Sequence, residues 1–238
     1  MSSEERGWLF PNQGDAIPTQ LDRGIRGLNI DLYRNEKGEL VFCHSFCELG
    51  EQDMVEGFTE IRDFLDDHPE EVLILTFEAH VSAEDAAGAM DDAGLAQRAY
   101  AHSLGVPWPT LGALIDAETP VVAFTSDPEG GPDWLMDQWT HWIDTPYGQS
   151  SLEDVDDHGS SCEEQRGMTE TATLFNVNHF MTAPLASSED AAEMNTLERL
   201  ESRVCACAQQ TGRVPNQVLV DFADLGDVVD FVAHLNGG

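Results

Sequence analysis

"EVLILTFE" (residues 71–78) decides the fold. Val72 to Phe77 form an apolar run broken only by Thr76, and the run ends on a carboxylate, Glu78. Runs this short and continuous read as strands buried on both faces, the habit of a parallel sheet. The pattern recurs. "GLNID" ends at Asp31, "LVFCH" at His44 and "TLFNVNH" at Asn178 and His179, while "QVLVDF" reaches Asp221. "PVVAF" (120–124) is a further run without the polar end.

Helical segments lie between most of these runs. "FTEIRDFLDDHP" places Phe58, Ile61, Phe64 and Leu65 on one face and stops at Pro69. "SSEDAAEMNTLERLESRVCACAQ" (187–209) starts on a cap-like serine and sets Met194, Leu197, Leu200 and Val204 on one stripe. "TLGALIDA" and "LGDVVDFVAHL" are shorter candidates. Alternating strand and helix predicts an α/β fold, either a TIM-type β/α barrel or a doubly wound sheet, as one domain over residues 1–238. No glycine-rich phosphate-binding fingerprint follows a strand, which argues against the nucleotide-binding versions.

In a β/α barrel the C-terminal strand ends converge on one mouth. Asp31, His44, Glu78 and Asp221 obey that rule. A strand also ends on a polar residue simply where it reaches solvent, but four such ends together point to a site. The runs holding Asp31 and His44 are joined by "RNEKGE", too short for a parallel crossover, so they form a hairpin. A two-residue turn at Lys37-Gly38 sets Asp31 opposite His44, and a four-residue turn at 35–38 sets Asn29 there instead. Either register turns His44 toward the Asn29/Asp31 face and Cys43 away from it. Carboxylates on strand ends, with an imidazole beside them, suit general acid–base work, with or without a hard cation such as calcium or magnesium.

Composition narrows the function. The chain has 11 basic and 45 acidic residues, a formal net charge of −34, and 41% hydrophobic residues. The acids are scattered among apolar runs, which reads as a folded, acidic-surfaced protein adapted to high salt rather than a disordered one. No basic patch exists to hold nucleic acid. No apolar stretch spans a membrane, and the first residues, "MSSEERGWLF", lack the apolar core of a signal peptide. The cysteines stand at 43, 47, 162, 205 and 207. Their spacing is not a zinc ribbon or finger. It suits disulfides from Cys43 to Cys47 and from Cys162 to Cys205 or Cys207, or else buried thiols. Trp134, Trp139 and Trp142 are either a membrane-docking tip or core.

Seven motifs occur in order: "PNQGDAIPTQLDRGIRGLNIDLY", "LVFCHSFCELG", "IRDFLDDHPEEVLILTFE", "PWPTLGALI", "SCEEQRG", "LFNVNHF" and "PNQVLVDFADLGD". Together they resemble the X-domain family of phosphatidylinositol-specific phospholipases C, in its bacterial secreted-type branch, over nearly the whole chain. The resemblance implies a TIM-type barrel that cleaves a glycerophosphodiester by attack of the neighbouring inositol hydroxyl, with two histidines as general base and general acid. His44 falls on the second histidine. Asp31 and Glu78 match two acidic positions that hold Ca²⁺ in metal-dependent members, and Asn29 stands where many carry another acid. Asp221 matches an acidic position near the last strand, a partner for the first histidine. His179 fits the pattern with no chemical role assigned, and Arg26 lies in the matching "GIR".

The family's first strand, with its histidine–asparagine pair, would precede Met1. The resemblance therefore implies a barrel incomplete at the first strand. The chain as written is then either crippled in catalysis, with a start codon lying upstream and secretion implied by what precedes it, or a non-catalytic barrel that binds phospholipid head groups or a protein partner. A glycerophosphodiester phosphodiesterase is a nearer alternative. A phospholipid or inositol phosphate is the implied partner, met peripherally at a membrane surface by a monomer.

Overall fold

A computed structural model describes residues 3–181 and 185–237. The chain falls into two compact units. One holds 6–9 and 16–138, and the other holds 3–5, 10–15 and 139 onward.

The first unit runs α1 (Ile17–Asp22), β1 (Gly27–Arg34), β2 (Leu40–Cys43), β3 (Glu51–Asp53), α2 (Met54–Asp67), β4 (Leu73–Ala79), α3 (Ala83–Asp92), α4 (Leu111–Asp116), β5 (Val121–Thr125) and β6 (Leu135–Asp137). Its six-stranded sheet has the order β3-β2-β1-β4-β5-β6. β1, β4, β5 and β6 are parallel, while β2 and β3 fold back antiparallel. Strand alternation sorts the side chains. Leu28, Ile30 and Leu32, Leu73, Leu75 and Phe77, Val121, Ala123 and Leu135 pack in one core with Phe58, Ile61, Phe64 and Leu65 of α2 and Ala86 and Met90 of α3. The opposite face carries Asn29, Asp31, Thr76 and Glu78, and Phe124 and Met136 continue the Asn29–Thr76 row. The parallel runs expected from "EVLILTFE" and "GLNID" are therefore present, with the apolar set against the helices.

The hairpin differs from both expected registers. Leu32 pairs with Phe42, Tyr33 with Val41 and Arg34 with Leu40. The loop has three residues, not two or four. Asn35 N donates to Glu39 O at 3.0 Å, and Gly38, at φ 84°, donates to Asn35 O. The Asn35 side chain locks the turn by accepting from the backbone N–H groups of Lys37 and Glu39. A three-residue loop with glycine in the left-handed position is a standard hairpin solution, and the asparagine favours it. The register moves by one residue, so continuing it would set Asp31 against Cys43 rather than His44. Cys43 therefore does not face away from Asp31 as expected, and His44 lies just past the last residue of β2.

The second unit follows α5 (Gln138–His141) with β7 (Trp142–Asp144), α6 (Leu152–Asp156), α7 (His158–Ser161), β8 (Leu174–His179), α8 (Ser188–Met194), α9 (Leu197–Thr211), β9 (Gln217–Val220) and α10 (Val228–Leu235). Its parallel sheet has the order β7-β8-β9. The single helix expected over 187–209 is two. The break falls at Asn195, whose side-chain amide donates to Asp221 O and Phe222 O. Leu197 N then takes the Asp227 carboxylate as its cap, and Leu197 is exposed rather than on the buried stripe.

Cysteine pairing follows helix geometry. Cys43 is bonded to Cys47, and Cys162 to Cys207. The candidate Cys205 is instead a free, exposed thiol. Two residues along α9 is more than half a turn, so 205 and 207 cannot share a face. Cys207 lies with Leu200 and Val204 on the buried side. Also buried on α9 is Arg203, only 1% exposed. Its guanidinium donates to Val155 O (2.8 Å), Ser161 Oγ (2.5 Å), Ser161 O (3.0 Å) and Asn178 O (3.0 Å). Among the described residues its hydrogen-bond partners are carbonyl and hydroxyl oxygens, and burial lowers its pKa to about 10, with the Asp156 charge opposing the shift.

Of the three tryptophans considered for a membrane tip, Trp142 is buried and Trp134 packs on the core. Trp139 lies under the Arg166 guanidinium, 4.5 Å from its ring centre. No helix among the described residues is long and apolar enough to cross a membrane.

The surface arginines are already answered by acids: Arg26 by Glu71, Arg34 by Asp85, Arg199 by Asp156, Arg213 by Glu164. The remaining acids repel one another. Raising salt from 0.1 to 1 M shortens the screening length from about 10 to about 3 Å. We expect the melting temperature to rise by several degrees over that range, measured by circular dichroism in KCl. A melting temperature indifferent to salt would show the acids to be locally balanced.

Candidate active site

The first unit builds its site on the C-terminal ends of β1 and β4. Asp31 and Glu78 are register partners on neighbouring parallel strands, and Asn29 pairs with Thr76 one step back on the same face. Asp31 is buried and Glu78 is exposed. The next residues on that face are Tyr33 and His80. Their rings stack at 4.1 Å, and His80 Nε2 lies 3.0 Å from Glu78 Oε1. Burial raises the Tyr33 pKa, and the charges of Asp31 and Glu78 push it the same way.

His44 joins this group from β2. Strand pairing does not place it. The Cys43–Cys47 bond closes a small ring around His44, Ser45 and Phe46. Ser45 takes a left-handed φ of 65°, and Phe46 N donates to His44 O at 2.8 Å. His44 is exposed to solvent as a whole, yet its ring is partly desolvated by its surroundings. That desolvation lowers its pKa, and the Asp31 and Glu78 carboxylates oppose the shift. Asn29, Asp31 and Glu78, named from the sequence, lie on one face at neighbouring strand ends, and His44 is near enough to feel the charges of both carboxylates. Among the described residues, no three His, Cys, Asp or Glu side chains gather as a metal site. The two carboxylates and the Asn29 amide are nonetheless hard oxygen donors. They would fit a hard cation that completes its shell from water or substrate oxygens.

The second unit carries its own polar strand ends. Asp221 follows β9, and burial raises its pKa to about 7. On the neighbouring strand, His179 is 1% exposed. Its Nε2 pairs with Met194 O at 2.9 Å, and burial lowers its pKa to about 4. His179 is therefore a neutral, structural imidazole. Sequence reading missed a third group. Asp144, buried at the end of β7, accepts from Arg166 Nε (2.9 Å) and from Asn178 Nδ2 (3.1 Å). The Arg166 guanidinium lies between the rings of Trp139 and Tyr147, at 4.5 and 4.2 Å. The signal was the glycine after Arg166. Gly167 has φ 111°, and a Cβ there would meet Trp142 O at 2.0 Å.

The two shifted groups of β8 and β9 act oppositely on stability. His179, at about 4 when folded, resists a proton that the unfolded chain takes near 6.5, so stability is lost as pH falls from 6.5 through 4. Asp221, at about 7 when folded, holds a proton that the unfolded chain releases near 3.8, so stability is lost as pH rises through that window. Replacing His179 by Asn removes only the first effect. Between pH 7.5 and 4 the variant should gain about 3 kcal/mol relative to the parent, read from urea unfolding of both proteins. A constant difference between them would show that His179 titrates normally.

The fold places the chain among α/β proteins of the TIM-type barrel class. The phosphatidylinositol-specific phospholipase C of Listeria monocytogenes superposes at a TM-score of 0.57 and 15% identity, over 92% of this chain and 81% of its own. The S. aureus phosphatidylinositol-specific phospholipase C superposes at 0.61 and 12%, over 96% and 85%. These likenesses show the fold. The family profile PI-PLC X 1 matches residues 7–236, and the chain belongs to that family. An Arabidopsis thaliana PI-PLC X domain-containing protein, At5g67130, is 27% identical over 251 residues, which is 96% of this chain but 56% of that protein. PI-PLC X domain-containing protein 1 of Arthroderma benhamiae is 27% identical over 96% of this chain and 80% of its own length. An uncharacterized secreted protein of the same fungus is 24% identical over 93% and 54%. The chain thus spans little more than half of the first and third of these relatives.

Proposed function

We propose that the protein is a phosphodiesterase of phospholipase C type, cleaving the head group of a glycerophospholipid such as phosphatidylinositol. The observation that carries this reading is the Asp31–Glu78 pair on neighbouring strand ends, with His44 within reach of their charges, in a chain of the PI-PLC X family. His44 acts as general acid, giving its proton to the leaving glycerol oxygen. Asp221, in the second unit, has a pKa near 7 and so exchanges protons at neutral pH. Asp31, Glu78 and Asn29 would hold Ca²⁺, which when bound supplies positive charge for the developing phosphorane. The substrate is met at a membrane surface without insertion.

The test is cleavage of phosphatidylinositol vesicles by the full chain at high salt, with Ca²⁺ and with a chelator, following cyclic and linear inositol phosphates by phosphorus NMR. Loss of turnover in Asp31→Asn supports the reading. Binding of inositol phosphate without turnover, both by this chain and by a form extended at its N-terminus, would favour the non-catalytic binder. Turnover of water-soluble glycerophosphodiesters alone would favour the nearer alternative.

A further inference from the structure

Tyr33 and His80 sit one step beyond Asp31 and Glu78 on the same two strands. The four side chains form a block in which only the lower pair has a proposed role. We infer that His80 is a positioning residue, fixing the Glu78 carboxylate beside Asp31 so that the pair is ready for a divalent cation. The inference rests on the cation reading given above.

A carboxylate only accepts hydrogen bonds, so His80 Nε2 carries the hydrogen in its 3.0 Å contact with Glu78 Oε1. One carboxylate oxygen is thereby used and the other is left for a ligand. Both side chains are largely exposed, at 41% and 60%, and an exposed pair of this kind by itself orders little. Two features make this one different. The His80 ring is laid on Tyr33, with planes only 20° apart, which removes its freedom to turn. The backbone beneath is also pinned from both sides. His80 N donates to Leu32 O at 2.9 Å, and Ala79 N donates to Ser126 Oγ at 3.0 Å. A free glutamate must be frozen when it binds a cation, and one already held loses less freedom on binding. Groups that hydrogen-bond a ligating carboxylate typically change metal affinity by about 10–100-fold when removed.

The experiment is calorimetric titration of Ca²⁺ into the full chain at fixed high KCl. His80→Ala removes ring and donor, and His80→Phe keeps the stack but loses the donor. We expect both to weaken Ca²⁺ binding by about 10-fold or more, with urea midpoints close to the parent. Tyr33→Leu should weaken it less. In a Glu78→Gln background, His80→Phe should have no further effect, an outcome that a purely structural role of His80 would not produce. Unchanged or tighter binding by His80→Phe, in a parent whose binding is abolished by Asp31→Asn, overturns the inference and leaves the cation reading standing. A parent that binds no Ca²⁺ overturns both.

Discussion

Replacing His44 with alanine is expected to lower cleavage of phosphatidylinositol by about 10²–10⁴-fold, the usual worth of one general acid. The fold should be untouched. His44 is an exposed residue on the small loop closed by the Cys43–Cys47 bond. The loss should appear in kcat, because proton donation is felt only as the leaving oxygen takes up charge. A substrate whose leaving group is a good one, such as a nitrophenyl ester of inositol phosphate, needs no proton. With it the variant should approach the parent. An equal loss on both substrates would show that His44 binds or shapes the site instead.

Arg203→Met is expected to cost about 3–5 kcal/mol of stability, from the several buried acceptors it leaves unpaired. Methionine fills much of the volume. It leaves Val155 O, Ser161 O and Asn178 O without the donors that reach them now. Each orphaned buried acceptor costs of order 1–3 kcal/mol. For a chain of this size that is roughly a 10 °C fall in melting temperature. Arg203→Lys should recover only part, since one ammonium cannot span carbonyls on three segments. A methionine variant as stable as the parent would mean that water replaces the guanidinium.

Much of the fold was legible because burial leaves a local trace. "EVLILTFE" and "GLNID" are strands since nothing else so short buries an apolar run on both sides, and Asp31, Glu78 and His44 were found where those runs stop. What was not legible depended on partners far along the chain. The break at Asn195 comes from backbone carbonyls at Asp221 and Phe222, reached only after the next strand is laid down. The hairpin register turned on one loop residue, chosen by the Asn35 side chain. Leaving Cys205 and Cys207 both open as partners of Cys162 ignored which face of α9 is buried. Asp144 and Arg166 lie 22 residues apart and showed no periodic signal. Tyr33 and His80 were passed over because a stacked pair of rings leaves no mark in either strand alone.

The small ring around His44 also bears on proteolysis. Phe46 is 66% exposed and sits between the two bonded cysteines. A protease that cuts after aromatic residues would open the Phe46–Cys47 peptide bond, yet the two pieces would stay joined through sulfur. The nicked protein would run as one chain on a non-reducing gel and as two after thiol treatment. A preparation that had lost its activity this way would look intact by mass apart from one added water.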